Sequence, residues 1–146
     1  MPPRWVNRLM GMMLRSPFGR LIPGVMLISY RGRRSGRRLS TPVEYVRAGD
    51  RVVVVVGRAK AKQWWRNVRA DPEVDVHLEG SDRHGRATVH DAVDAEAIDD
   101  LAVYVTRRPS TAKALGIGPD GLPDRSALAQ AASSTVTVRI DLAPAA

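Results

Sequence analysis

Apolar and polar positions along this chain follow two periods, and the switches between them mark its elements. Trp5, Leu9, Met12 and Met13 recur at helical spacing among Arg4, Arg8 and Arg15, which predicts an amphipathic helix over residues 4–14. Residues 16–24 hold two prolines and two glycines and read as a loop. Residues 25–30 form a short apolar strand. Residues 40–47 read as a second strand, with Val43, Tyr45 and Arg47 on one face. After a tight Ala48-Gly49-Asp50 turn, residues 51–56 carry five consecutive valines, the mark of a strand buried on both faces.

Residues 57–62 read as a short basic loop and residues 63–70 as a helix. That helix ends at Asp71-Pro72, because proline disfavours helix in the residue before it. Residues 73–79 alternate Val74, Val76 and Leu78 with Asp75, His77 and Glu79, the pattern of a half-buried strand. Gly80-Ser81-Asp82 turns the chain into a partner strand ending near His90. Residues 94–108 form an amphipathic helix with Ile98, Leu101 and Val105 as its buried stripe. Its acidic start and its Arg107-Arg108 end both suit the helix dipole. Residues 109–126, rich in Gly and Pro, read as loop, and residues 134–142 as a last strand. About six strands joined by short hairpins, with three or four helices, predict a mainly β (α+β) fold: a mostly antiparallel sheet closed or split into a small barrel. Residues 1–24 form an N-terminal helix and loop, and residues 25–146 the barrel domain.

Composition narrows the chemistry. The chain has 146 residues, no cysteine, three histidines and a formal charge of +8. Thiolate chemistry and cysteine metal sites are excluded. The histidines His77, His84 and His90 lack companions at ligand spacing, so no metal site is expected. The charge calls for an acidic partner: nucleic acid, anionic lipid or a phosphorylated or carboxylated small molecule. Nucleic-acid barrels present aromatic stacking strips, which this chain lacks, so no specific nucleic-acid contact is expected. The start of the chain has no uninterrupted apolar core of the signal-peptide kind, which makes the cytoplasm the expected location. For residues 4–14 two readings stand: a cap on an open barrel end, or a weak contact with an anionic membrane surface.

The densest chemistry lies between the first two strands. In Gly32-Arg33-Arg34-Ser35-Gly36-Arg37-Arg38, glycines bring backbone N–H groups close to a ligand and arginines supply charged forks for phosphate or carboxylate. A solvated hairpin tip is the plain alternative. Of the adjacent Trp64 and Trp65, about 100° apart on a helix, only one is expected to face the core fully, Trp64 beside Val68. The other is expected to line a cleft or the surface.

The order of these motifs resembles the deazaflavin-dependent nitroreductase and quinone reductase family. The match runs through the arginine turn, Thr41-Pro42, the valine strand and the segment from Trp64 to Val74. The resemblance implies a split β-barrel of the pyridoxamine-phosphate-oxidase-like kind. It also implies coenzyme F(420) as cofactor, with hydride passed from the reduced coenzyme to a quinone, nitro or unsaturated compound, and a homodimer. By the same resemblance, Arg33, Arg34, Ser35 and Gly36, with Arg37, hold the coenzyme's phosphate and acidic tail, and Thr41 and Pro42 stand beside it. Gly57, Arg58, Ala59 and Lys60 run along the deazaflavin ring, while Trp64 and Trp65 open the helix that closes the site. No side chain is assigned to catalysis itself, because the hydride chemistry belongs to the cofactor. Two alternatives remain open. Related barrels use FMN. The family's tyrosine-rich substrate segment has no counterpart in residues 109–126, which suits a non-catalytic coenzyme-binding relative.

Overall fold

A computed structural model describes residues 24–115 and 125–144. The expected helix over 4–14 lies outside them, as does most of the 1–24 segment. Seven strands form one antiparallel sheet: β1 (Val25–Arg31), β2 (Arg38–Glu44), β3 (Val46–Ala48), β4 (Arg51–Val56), β5 (Glu73–Leu78), β6 (Ser81–His90) and β7 (Val136–Leu142). Four α-helices are described: α1 (Trp64–Ala70), α2 (Ala95–Arg107), α3 (Pro109–Ala114) and α4 (Arg125–Ala132).

The strand order is β2-β1-β5-β6-β7-β4-β3, so β2 and β3 are the two edges. Only Tyr45 separates them in sequence. A flat sheet of this many strands would hold its edges roughly 29 Å apart, at about 4.8 Å per strand gap. The two peptide units from Glu44 to Val46 reach at most about 7 Å. The sheet therefore curls until its edges meet at Tyr45. The single strand expected over residues 40–47 is in fact two, because the chain changes edges there. Tyr45 N–H bonds Gly24 O at 2.9 Å, and the Arg108 guanidinium donates to Gly24 O at 2.9 Å and Tyr45 O at 3.2 Å, pinning the crossing.

Inside the curl, Met26, Ile28, Val52, Val54, Val74, Val76, Val138 and Ile140 pack with Trp64 and Val68 of α1. The outer side of β4 is covered too. Val53 packs with Val46 and Tyr104, while Val55 meets the cluster formed by α2 and α4 around Leu101 and Leu128. The valine run is thus buried on both faces, as its continuity predicts. Ile98, Leu101 and Val105 form the buried stripe of α2, and Asp94 caps that helix by accepting from Ala97 N–H at 2.7 Å.

Two further local readings change. The turn after β5 is the two-residue Glu79-Gly80, both at positive φ, with β6 already starting at Ser81. Residues 109–126 are not all loop. Pro109 opens α3, since proline is tolerated at a first helical position whose N–H would be unpaired anyway. Arg125 opens α4, whose Leu128, Ala131 and Ala132 are buried against α2.

A polar bridge joins α2 to the sheet. Asp100 is fully buried and bonds His90 Nε2 at 2.9 Å and Arg51 at 3.2 Å. Removing one partner of such a bridge leaves uncompensated polar groups. Asp100→Ala is expected to lower unfolding free energy by about 3 kcal/mol, read by urea denaturation; a change below about 1 kcal/mol would refute the bridge's role.

On the outer face of β5 and β6, His84 bonds Asp75 at 2.9 Å and Glu73 at 2.7 Å. Those bonds, Asp75 foremost, hold His84 above its ordinary value of 6.5. The His84 bond in turn holds Asp75 below its ordinary value of 3.8, helped by Arg38. The His84 contribution is complete below pH 6.5 and is lost as pH rises through the raised folded value. The Asp75 contribution is complete above pH 3.8 and is lost as pH falls through the lowered folded value. The thermal midpoint should therefore drop as pH rises above 6.5, and His84→Gln should make that drop smaller in a pH series of melting curves.

Candidate functional site

The closure at Tyr45 is local. β3 pairs only with Arg51, Val52 and Val53 of β4, and β2 pairs only with β1. Beyond that corner the two edges part, and the β3 side of β4 from Val54 onward has no strand beside it. A cavity of about 650 Å³ lies in this split. Leu39, Thr41, Pro42, Val43 and Glu44 of β2 form one wall, and Val54, Val55, Val56 and Gly57 form the other. One end is closed by Lys62, Gln63, Trp64 and Asn67, the other by Tyr104, Ser110, Thr111, Ala114 and Leu115.

The walls are mostly apolar and carry hydroxyl groups at both ends. Tyr30, at the cavity, shares a 2.7 Å hydrogen bond with Thr41. Tyr104 and Thr111 both line the far side. Burial pushes both phenols above their usual value, so both stay neutral hydrogen-bonding groups at physiological pH.

The arginine turn sits beside the Lys62 end. Gly32 N–H bonds Arg37 O at 2.8 Å and Gly36 N–H bonds Gly32 O at 2.9 Å, which folds residues 32–37 back on themselves. Gly36 adopts φ +68°, a region that side chains with Cβ rarely occupy, and a Cβ on Gly32 would stand 2.7 Å from Ser35 Oγ. Arg33 is tied to α1: its N–H and guanidinium reach Asn67 Oδ1 at 3.1 and 2.7 Å, and its second guanidinium nitrogen reaches Gln63 Oε1 at 2.8 Å.

Residues 57–62 form a turn with one 3₁₀ turn at Ala59–Ala61, preceded by Arg58 at φ +53°. Left-handed backbone is uncommon for arginine and is held here by its surroundings. The Trp65 indole N–H donates to Ala59 O at 2.8 Å, and the Arg66 and Arg69 guanidinium groups lie over its ring at 4.7 and 5.2 Å. Both tryptophans are therefore buried, contrary to the expectation for one of them. Trp64 enters the barrel, and Trp65 is covered by the turn it fastens and by two guanidinium groups.

Of the residues singled out in the sequence, Thr41, Pro42, Gly57 and Trp64 line the cavity directly. Arg33 reaches it through Asn67 and Gln63. Arg34, Ser35, Gly36 and Arg37 form the turn beside it. Arg58, Ala59, Lys60 and Trp65 lie in or behind the second turn rather than on the cavity wall. Lys62 was read as part of the basic loop, while Tyr30, Gln63, Asn67, Tyr104 and Thr111 were not among those residues. Tyr30, Gln63 and Asn67 lie within or next to the motifs and could have been found there. Tyr104 and Thr111 carry no local signal.

Electrostatically the two ends differ. Residues 32–43 and 57–70 contain no acidic side chain. Arg38 and Arg69 are paired with Asp75 and Asp91 from other elements. Arg34, Arg37, Arg58, Lys60 and Lys62 have no carboxylate partner among the described residues. The arrangement offers a mostly apolar cavity with a cationic rim at one end. Among the described residues there is no group of three or more His, Asp or Glu placed to hold a metal ion, and no helix long and apolar enough to cross a membrane.

A Mycobacterium tuberculosis protein with the provisional name F(420)H(2)-dependent quinone reductase Rv3178 is 33% identical over 75 residues, which is 49% of this chain and 61% of that protein. The chain thus spans less than two thirds of that relative's length. Among solved structures, a chain described as a domain-swapped dimer superposes with a TM-score of 0.59 at 18% identity, covering 96% of this chain and 99% of its own. A chain from Listeria innocua, provisionally named a pyridoxamine 5'-phosphate oxidase, gives 0.52 at 14% identity, covering 93% and 94%. These likenesses establish the split-barrel fold expected from the motifs. The sequence profile of the F(420)H(2)-dependent quinone reductases matches residues 6–114, across the arginine turn, both cavity walls and α1 to α3, and the chain belongs to that family.

Proposed function

We propose that this chain binds coenzyme F(420) in the split between β2 and β4 and passes hydride from its reduced form to a small electrophile: a quinone, a nitro compound or an unsaturated compound. The observation that carries the reading is the pairing of an apolar slot of about 650 Å³ with an acid-free cationic rim at one end. That volume lies within the usual range for cofactor and small-molecule sites. The coenzyme has a flat ring and an anionic tail, and the residues present suit both parts. Family membership and the quinone-reductase name of the Mycobacterium tuberculosis relative support the same reading.

When bound, the reduced deazaflavin supplies the hydride. The protein's part is placement. The β4 edge from Val54 to Gly57 presents a surface along which a ring can lie. Arg34, Arg37 and Lys62 attract and hold the tail, each charge-assisted bond stabilising it by roughly 1.5–3 kcal/mol when well formed. Leu39, Val43, Ala114 and Leu115 exclude water from the space left for an acceptor. The proposal includes a homodimer, supported by the domain-swapped dimer of similar fold.

Fluorescence titration should give saturable F(420) binding at micromolar concentration. Arg34→Ala/Arg37→Ala should weaken it by about tenfold or more, equivalent to at least about 1.4 kcal/mol, and added salt should weaken it further. No binding at tens of micromolar, with or without FMN in parallel, would overturn the reading. Turnover of the reduced coenzyme should appear only when an acceptor is added. Sedimentation should report twice the 16.0 kDa chain mass, and a monomer at all concentrations would remove the dimer from the proposal.

A further inference from the structure

Asn67 and Gln63 stand one helical turn apart across the start of α1, and both line the cavity. Both are bound by the same arginine. Asn67 Oδ1 accepts the Arg33 N–H at 3.1 Å and its guanidinium at 2.7 Å, while Gln63 Oε1 accepts the other guanidinium nitrogen at 2.8 Å. An arginine has donors and no acceptor, so only the oxygen of each amide can face it. The amide orientation, often ambiguous, is settled here by that chemistry.

The opposite edge of each amide is then its NH2 group. No described residue accepts a hydrogen bond from either NH2 group. No fully buried side-chain nitrogen or oxygen among the described residues lacks a partner. The Asn67 NH2 therefore keeps accessible surface although the residue as a whole is only 7% exposed, and the open space that Asn67 borders is the cavity. A cation held on each amide oxygen also polarises the group and strengthens its NH2 as a donor.

We propose that Arg33 is a positioning residue: it locks the Asn67 and Gln63 amides so that their NH2 groups donate to oxygen acceptors of the molecule bound in the cavity. This rests on the coenzyme reading above. It gives Arg33 a role different from its neighbours Arg34 and Arg37, whose guanidinium groups are not committed to α1. The acceptors are either carbonyl oxygens on the ring's polar edge or phosphate oxygens of the tail, and both take N–H donors in the same way.

Asn67→Asp separates the proposal from a structural role. The aspartate keeps an oxygen for Arg33, now as an ion pair, but presents a second oxygen where the NH2 stood. The variant should melt no lower than the parent protein, yet bind F(420) at least about tenfold more weakly through acceptor–acceptor repulsion. The deazaflavin core lacking phosphate and glutamates gives the source. Equal weakening for core and full coenzyme assigns the donors to ring carbonyls, and weakening for the full coenzyme alone assigns them to the phosphate. Unchanged affinity of Asn67→Asp for both overturns the proposal. Independently of any ligand, the side-chain amide NMR signals of Asn67 and Gln63 should be dispersed in the free protein and collapse toward random-coil positions in Arg33→Met. Signals indifferent to Arg33 overturn the locking. If the parent protein binds no coenzyme, the functional reading falls, and this NMR comparison still decides whether Arg33 orients the amides.

Discussion

Glu44 ends one edge strand of the sheet and Val46 begins the other, with Tyr45 alone between them. Most of the architecture follows from that short tether. A sheet of this width cannot be flat and also bring its edges within two peptide units. Its inner face becomes a closed apolar core, and its edges meet at one corner. They diverge elsewhere because β3 is only three residues long. The cavity is the space left by that divergence, so the same constraint that closes the barrel also opens the site. The Arg108 clamp on Gly24 and Tyr45 holds the corner. Arg108 caps α2, and α3 begins at the next residue, so the corner and the far wall of the cavity are fastened together.

The cationic end shows a division of labour within one charge type. Arg38 and Arg69 are neutralised by aspartates of other elements and serve the fold. Arg66 and Arg69 cover Trp65 with their guanidinium planes. Arg33 is spent on neutral amides, which keeps its charge uncompensated near the cavity. A count of basic residues cannot make these distinctions, because each depends on what stands across from the guanidinium.

The strands, the α1 and α2 helices and the glycine-framed arginine turn were legible because their signals are local. Period-two alternation in β5, the valine run of β4, the buried stripe of α2 and the glycine spacing of the arginine turn all depend on near neighbours in sequence. The readings that changed were those in which distant packing overrode local appearance. Residues 125–132 have weak amphipathy and become helix through burial on α2. Trp65 looked destined for a cleft or the surface and is instead covered by a turn whose carbonyl it binds. Asp100, a charged residue on a helix whose acidic start suits the dipole, is a fully buried partner of His90 and Arg51.

By itself the sequence determined that this is an antiparallel β protein with a glycine-framed cluster of arginines and no thiol chemistry, because periodicity, turn residues and composition are properties of the chain alone. Tertiary structure decided which of those residues meet. It set β2 opposite β4 across a gap, brought Tyr104 and Thr111 to the same cavity as Thr41 and Trp64, and turned Arg33 onto Asn67 and Gln63. The reason is geometric: the bonds from Arg33 to Asn67 and Gln63 join residues 34 and 30 positions apart, and their distances depend on how the sheet curls rather than on any spacing along the chain.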